Sequence, residues 1–151
     1  MLEHCKSAKE RWGGVSEIID RWLQERQELL VQFCQLTANP QAATAPAQLQ
    51  AMCQILVDYV SAGHFEIYDQ LIREGEEFDD EEALIQAEGL FEQIDATTEV
   101  ILDFNDKYLE TDDLDALPAD LSAIGETLES RFAAEDHMIG VLHTAHKDLV
   151  T

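Results

Sequence analysis

Four polar side chains interrupt what would otherwise be four apolar helical stripes: Arg26, His64, Asn105 and Glu135. The interior of a helix bundle is a common place for a metal or cofactor, so this constellation comes first. A metal- or oxygen-handling centre would use His64 and Glu135, with His143 and His146 as further donors. The spacing argues against it. Carboxylate-bridged di-iron bundles repeat Glu-x-x-His, and no such pair occurs here. His143 and His146 sit three apart near the end of the chain, where fraying is expected. The competing reading is a satisfied core network, in which Arg26 or Arg131 pairs with Glu135 while His64 and Asn105 bond their neighbours. Arg131 and Glu135 are four apart on one helix and can meet without tertiary help. No metal site is expected.

Other chemistries find less support. Three cysteines (Cys5, Cys34, Cys53) are odd in number and form no Cys-x-x-Cys, which fits a reduced, cytoplasmic protein without a disulfide framework. Cys34 and Cys53 fall on or beside apolar stripes, where thiols are inert. Gly13-Gly14 precedes a helix, but no strand comes before it and no Gly-Lys-Ser/Thr follows, so no phosphate loop is formed. Acids are so abundant that no pair of carboxylates is informative. Neither a catalytic residue nor a cofactor is expected, and the chain reads as a non-enzyme.

The elements that carry these residues follow from apolar spacings of three and four. A first helix over 15–36 places Val15, Ile19, Trp22, Leu29 and Phe33 on one stripe, and Lys6 to Arg11 can extend it backwards, although Gly13-Gly14 weaken the join. It stops before Pro40 in an Ala/Gln/Pro-rich connector. A second helix over 48–73 turns Leu49, Met52, Cys53, Leu56, Val60, His64, Ile67 and Leu71 inward. Asp79-Asp80-Glu81-Glu82 opens the third, where carboxylates favour the positive end of the helix dipole. Pro118 suits the first turn of the last. With three prolines, seven glycines and 46% hydrophobic residues in 151, the chain reads as one all-α domain over 1–151. The expected fold is an up-and-down antiparallel four-helix bundle with an N-terminal helical extension.

Charge narrows the partners. The formal net charge is −23, yet residues 1–26 are balanced, and 74–115 hold seventeen acids against Lys107. Such a surface repels nucleic acid and anionic membrane and attracts basic partners, and it favours a monomer. No apolar run approaches the roughly twenty residues that span a bilayer, and Met1 to Lys6 lack a secretory apolar core. At about 100° per residue, Asp58, Phe65, Asp69 and Ile72 cluster opposite the buried stripe of the second helix, with Asp20 on the outer face of the first. Large apolar residues among carboxylates have the character of a contact patch. The plainer alternative is that Phe65 and Ile72 pack against the connector or the N-terminal segment. The acidic runs at 74–82 and 110–115 read as solvated loop and helix-start residues.

These residues carry a resemblance. Asp20-Arg21-Trp22-Leu23 and the run from Leu56 through Asp58-Tyr59-Val60-Ser61-Ala62-Gly63-His64-Phe65 to Tyr68 resemble the bacterial Rsd/AlgQ family of sigma-factor regulators. Glu10-Arg11-Trp12-Gly13-Gly14, Leu102 to Asp106 and Val141 to His146 point to its pseudomonad AlgQ branch. The resemblance implies a cytoplasmic helical bundle that binds the primary sigma factor at its C-terminal, basic helix-turn-helix region. Binding there would keep that factor from the −35 promoter element and from core RNA polymerase. It further implies sigma contact at Asp58, which matches a family aspartate with that role. The connector and the richer acidic segments depart from the family's character. A metal- or oxygen-handling bundle and a general acidic adaptor remain as other readings.

Overall fold

The structure, a computed structural model, describes residues 2–149, and within 2–11 only the Glu10 side chain is described, so the Cys5 thiol and the bases of the N-terminal extension lie outside it. Among the described residues there is no strand. Helix α1 spans Leu2–Ala38, α2 Ala45–Ala62 and α3 Tyr68–Glu77, with a π-helix at Gly63–Ile67 joining α2 to α3. Helix α4 spans Glu81–Glu110 and α5 Leu117–Leu142, and a 3₁₀ segment covers Thr144–Leu149. Helix α1 packs on α2, α4 on α5, and α3 on α4 and α5, which makes a helical bundle.

Local chemistry explains the boundaries. Helix α1 ends before Pro40, as proline's restriction on the preceding residue requires. It runs unbroken through Gly13-Gly14, which cost about 1 kcal/mol each relative to alanine. An anchor at that point offsets them: the Trp12 indole N–H donates to the His143 carbonyl at 3.1 Å, and its ring stacks on the His143 ring at 4.2 Å. Asp80 caps α4 by accepting from the Ala83 N–H at 3.1 Å. Just before it Asp79 takes φ 51°, a left-handed conformation that aspartate tolerates, and so folds α3 back against α4. Pro118 sits in the first turn of α5.

The core joins Trp22, Leu29 and Leu36 of α1, Met52, Leu56 and Tyr59 of α2, Leu71 of α3, Ile94 and Ile101 of α4, and Leu121, Leu128 and Met138 of α5. At Gly75 the Leu84 and Leu142 side chains lie so close that a Cβ would stand 2.7 Å from a methyl of each.

Three expectations need correction. The second helix is not a uniform α-helix, and His64 is exposed rather than inward. The wide turn at Gly63–Ile67 adds one residue, so Gly63 takes the inward place and His64, Phe65 and Glu66 all face solvent. Ile72 is half-buried against the core instead of standing on the outer face, because the same extra residue rotates α3. The C-terminal histidines are not frayed. His143 and His146 are buried, each held by a carboxylate, His143 by Glu74 at 2.7 Å and His146 by Asp80 at 2.8 Å.

Candidate functional site

The π-helix is the feature on which the site is built. Its defining bond runs from the Tyr68 N–H to the Gly63 carbonyl, five residues back. Gly63 suits this close approach: a Cβ would lie 3.0 Å from the Trp22 ring and 3.1 Å from the Tyr68 hydroxyl, tight enough that both would have to give by a few tenths of an ångström. The Trp22 indole N–H donates at 3.0 Å to the Tyr59 carbonyl, which also accepts the Gly63 N–H in the last regular turn before the wide one. Trp22 also stacks on the Tyr59 ring at 4.6 Å. The residues of the two sequence runs that carry the resemblance, Asp20 to Leu23 and Leu56 to Tyr68, therefore meet in space.

On the outer side Phe65 is 79% exposed, the most exposed large apolar side chain among the described residues. The His64 ring meets it edge to face at 4.9 Å. Asp58, Asp69, Glu66 and, on α1, Asp20 are all exposed. Asp58 accepts from the Gln54 amide at 3.2 Å, and Asp69 pairs with Arg73 at 3.2 Å, a pairing worth little at such exposure. The Glu25 carboxyl on α1 is pushed upward, first by partial burial and then by the charges of Asp58 and Glu28. Helices α1 and α2 pack side by side, so their exposed carboxylates share one surface. A shallow groove of about 230 Å³ runs between α1 and the π-helix, lined by Ile18, Arg21, Trp22, Glu25, Glu66 and Ile67. Of the sequence-derived contact residues, Asp58, Phe65, Asp69 and Asp20 are solvent-facing and Ile72 is not.

Behind this face lies a polar network. Glu135 is 1% exposed, and its Oε1 accepts from the Tyr59 hydroxyl at 2.5 Å and from Arg26 at 3.3 Å. Its Oε2 accepts from the Tyr68 hydroxyl, with Arg131 Nε 3.3 Å away as a charge contact rather than a hydrogen bond. Arg131 in turn donates to Thr97 at 3.0 Å, to Thr98 at 2.8 Å and to the Tyr68 oxygen at 3.0 Å. Arg26 donates to the Tyr59 oxygen at 2.9 Å and to Asp136 at 2.6 Å, with its guanidinium 4.6 Å above Phe132. Burial raises the Glu135 carboxyl above the ordinary carboxylate range, against the opposing pull of Arg131, Tyr59, Tyr68 and Arg26. Burial, and then the Glu135 charge, push both tyrosine hydroxyls far above theirs, so both remain donors at every physiological pH.

Arg26 and Glu135 thus meet in the interior, whereas His64 and Asn105 do not join them. Asn105 is half-buried and lines a separate groove of about 680 Å³ with Leu49, Cys53, Val57 and Tyr108. The donor set of a metal centre is not assembled: His64 points to solvent, Glu135 is enclosed by arginine and tyrosine, and His143 and His146 are held elsewhere by Glu74 and Asp80. Among the described residues no three His, Cys, Asp or Glu side chains gather as metal ligands. No described helix is long and apolar enough to cross a membrane. Tyr59 and Tyr68 are the residues that sequence reasoning missed. Their signal was available: tyrosine on an otherwise apolar face needs a hydroxyl partner.

The pattern described as "Regulator of RNA polymerase sigma(70) subunit, Rsd/AlgQ" matches residues 1–143. A "Regulator of sigma D" of Enterobacter sp. (strain 638) is 37% identical over 150 residues, covering 93% of this chain and 89% of the relative. Its counterpart in Yersinia pseudotuberculosis serotype O:1b is 36% identical, covering 92% of this chain and 87% of the relative. That of Yersinia enterocolitica is 35% identical, covering 92% and 88%. With its bundle and with those sequence runs joined at the π-helix, the chain belongs to the Rsd/AlgQ family of regulators of the RNA polymerase sigma(70) subunit.

Proposed function

We propose that this chain is an anti-sigma factor that binds the C-terminal, basic helix-turn-helix region of the primary sigma factor. Occupying that region sequesters the factor from −35 promoter DNA and from core RNA polymerase, and so regulates transcription without chemistry of its own. The protein acts as a cytoplasmic monomer, without cofactor and without touching nucleic acid or membrane. The observation that carries this reading is Phe65, 79% exposed on the π-helix of a chain of net charge −23, with Asp58, Glu66 and Asp69 also exposed around that stretch. A protruding aromatic supplies the anchor, and the carboxylates supply the attraction and register for a basic partner. Asp20 extends the same negative surface onto α1.

The competition inherent in this reading can be measured. Labelled −35 DNA bound to the isolated sigma C-terminal domain should be displaced by the chain in a one-to-one titration. Asp58→Lys should weaken displacement about tenfold, one step of 1.4 kcal/mol, with the bundle still folded. Wild-type displacement by Asp58→Lys would remove that contact. Stoichiometric recovery of a different basic protein from lysate, without the sigma factor, would favour a general acidic adaptor.

A further inference from the structure

We propose that Glu135 is the positioning residue of the Phe65 face: through Tyr59 and Tyr68 its buried carboxylate grips the chain on either side of the π-helix and keeps that turn wide. The inference rests on the reading of the Phe65 face as the sigma contact and adds what holds that face in shape.

Tyr59 is four residues before Gly63, and Tyr68 directly follows Ile67. The two tyrosines are nine positions apart, and in a regular α-helix nine steps of about 100° would put them about 180° apart, on opposite faces. Inserting one residue as a π-turn removes one step from the count, leaving them about 80° apart. Only then can both hydroxyls reach one carboxylate, Tyr59 on Oε1 and Tyr68 on Oε2 of Glu135. The clamp and the wide turn therefore depend on each other. Each hydroxyl is also fixed from behind by an arginine, Arg26 on Tyr59 at 2.9 Å and Arg131 on Tyr68 at 3.0 Å, so neither phenol is free to turn away.

The consequence appears on the far side of the same helix. Gly63 and Ile67 face inward, and the three residues between them all face solvent, including Phe65. Tightening the turn to α geometry would rotate α3 by about 100° against α2 and pull Tyr68 off Glu135. It would also carry Phe65 off its present bearing relative to Asp58. No side chain of the clamp is itself exposed at the face, so Glu135 acts on the partner only through the shape of the turn.

The test separates the clamp from simple stability. Tyr68→Phe keeps the ring and its packing and removes one grip. We expect it to stay folded, to exchange amide hydrogens at 63–67 at least tenfold faster, and to bind the isolated sigma C-terminal domain at least tenfold more weakly. Exchange at the centre of α4 should be unchanged. Tyr108→Phe, which loses a hydroxyl bonded to Asp120 at 2.5 Å elsewhere, serves as the control and should alter neither readout. Deleting Glu66 should convert the turn to α-helix while keeping both flanking registers, giving a folded protein that binds more than tenfold more weakly. Native exchange at 63–67 in a folded Tyr59→Phe/Tyr68→Phe variant, or wild-type affinity in a folded Glu66 deletion, would overturn the proposal. If the unaltered chain fails to bind the sigma domain at all, the functional reading fails, and the exchange measurement alone decides the clamp.

Discussion

Two buried glutamates in this molecule have nearly the same exposure and opposite surroundings. Glu135, at 1%, has a donor or a cation on both oxygens, drawn from α1, α2, α3 and α5. Glu74, at 4%, has His143 on one oxygen, while its Oε1 and the His143 Nε2 have no hydrogen-bond partner among the described residues. The first is a hub that fixes how four helices sit behind the Phe65 face. The second is a latch that holds the end of α5 onto α3, with Trp12 stacked over it from α1. Burial alone therefore does not say what a carboxylate does; the number and origin of its donors do.

Breaking the hub should have the largest effect. Glu135→Ala leaves Arg131, 1% exposed, and Arg26 without their buried counter-charge, and should cost about 3–5 kcal/mol of unfolding free energy in a urea titration. A loss below about 1 kcal/mol would show that the network is not stabilising. Breaking the latch should cost less. Glu74→Ala orphans one imidazole nitrogen and removes a carboxylate that was already half unsatisfied, so about 1–3 kcal/mol is expected. A cost equal to that of Glu135→Ala would erase the contrast. Gly75→Ala presses a methyl against Leu84 and Leu142 beside the latch, and overpacking there should cost a similar 1–3 kcal/mol.

Acid should act on the rim more than on the hub. The Asp80 carboxyl lies below the ordinary range because His146 and then the Ala83 N–H bond to it, and Asp120 because Lys107 and then Tyr108 do. A carboxyl held lower in the folded state than in the unfolded contributes stability above its unfolded value, and loses it as pH falls through the folded one. Stability should therefore decline from the ordinary carboxylate range downward. Asp120→Asn should flatten that decline by less than about 1 kcal/mol, since the pair is exposed. Glu135 has the opposite sign, its folded carboxyl being raised, so its own contribution favours low pH and fades as pH rises through that raised value. An acid titration in which Glu135→Gln, rather than Asp120→Asn, flattens the low-pH decline would invert this assignment.

The smallest expected effect is chemical. The Cys53 thiol, buried, is pushed up to about 11, whereas Cys34 is exposed. Mass-mapped alkylation of the native protein should label Cys34 and leave Cys53 unmodified until denaturant is added. Labelling of native Cys53 would mean that the groove beside it opens.

Much of this fold was legible because its signals are local. The stop before Pro40, the acidic start of α4 and the proline in the first turn of α5 each concern a few neighbouring residues. The Arg131–Glu135 pair needed only helical spacing. What the sequence hid was long-range. A constant step of 100° per residue cannot register an inserted π-turn, so it turns His64 inward and Ile72 outward even though it sets Ile67 and Leu71 correctly in the core. Gly63 and Tyr68 held the clue, since a glycine and a tyrosine at those positions fit a close approach to Trp22 and a hydroxyl partner. His143 and His146 looked frayed because their carboxylates, Glu74 and Asp80, lie more than sixty residues away in sequence.

Everything proposed for this protein depends on the Phe65 face binding a basic sigma-factor domain. Titration calorimetry of the chain and of Phe65→Ala against the isolated C-terminal domain of the primary sigma factor, at low and physiological salt, tests it most directly. One-to-one binding that weakens with salt is expected, since exposed charges are screened over about 8 Å at physiological ionic strength, with at least a tenfold loss in a fully folded Phe65→Ala. Absence of binding at low salt, or wild-type affinity in Phe65→Ala, would contradict it.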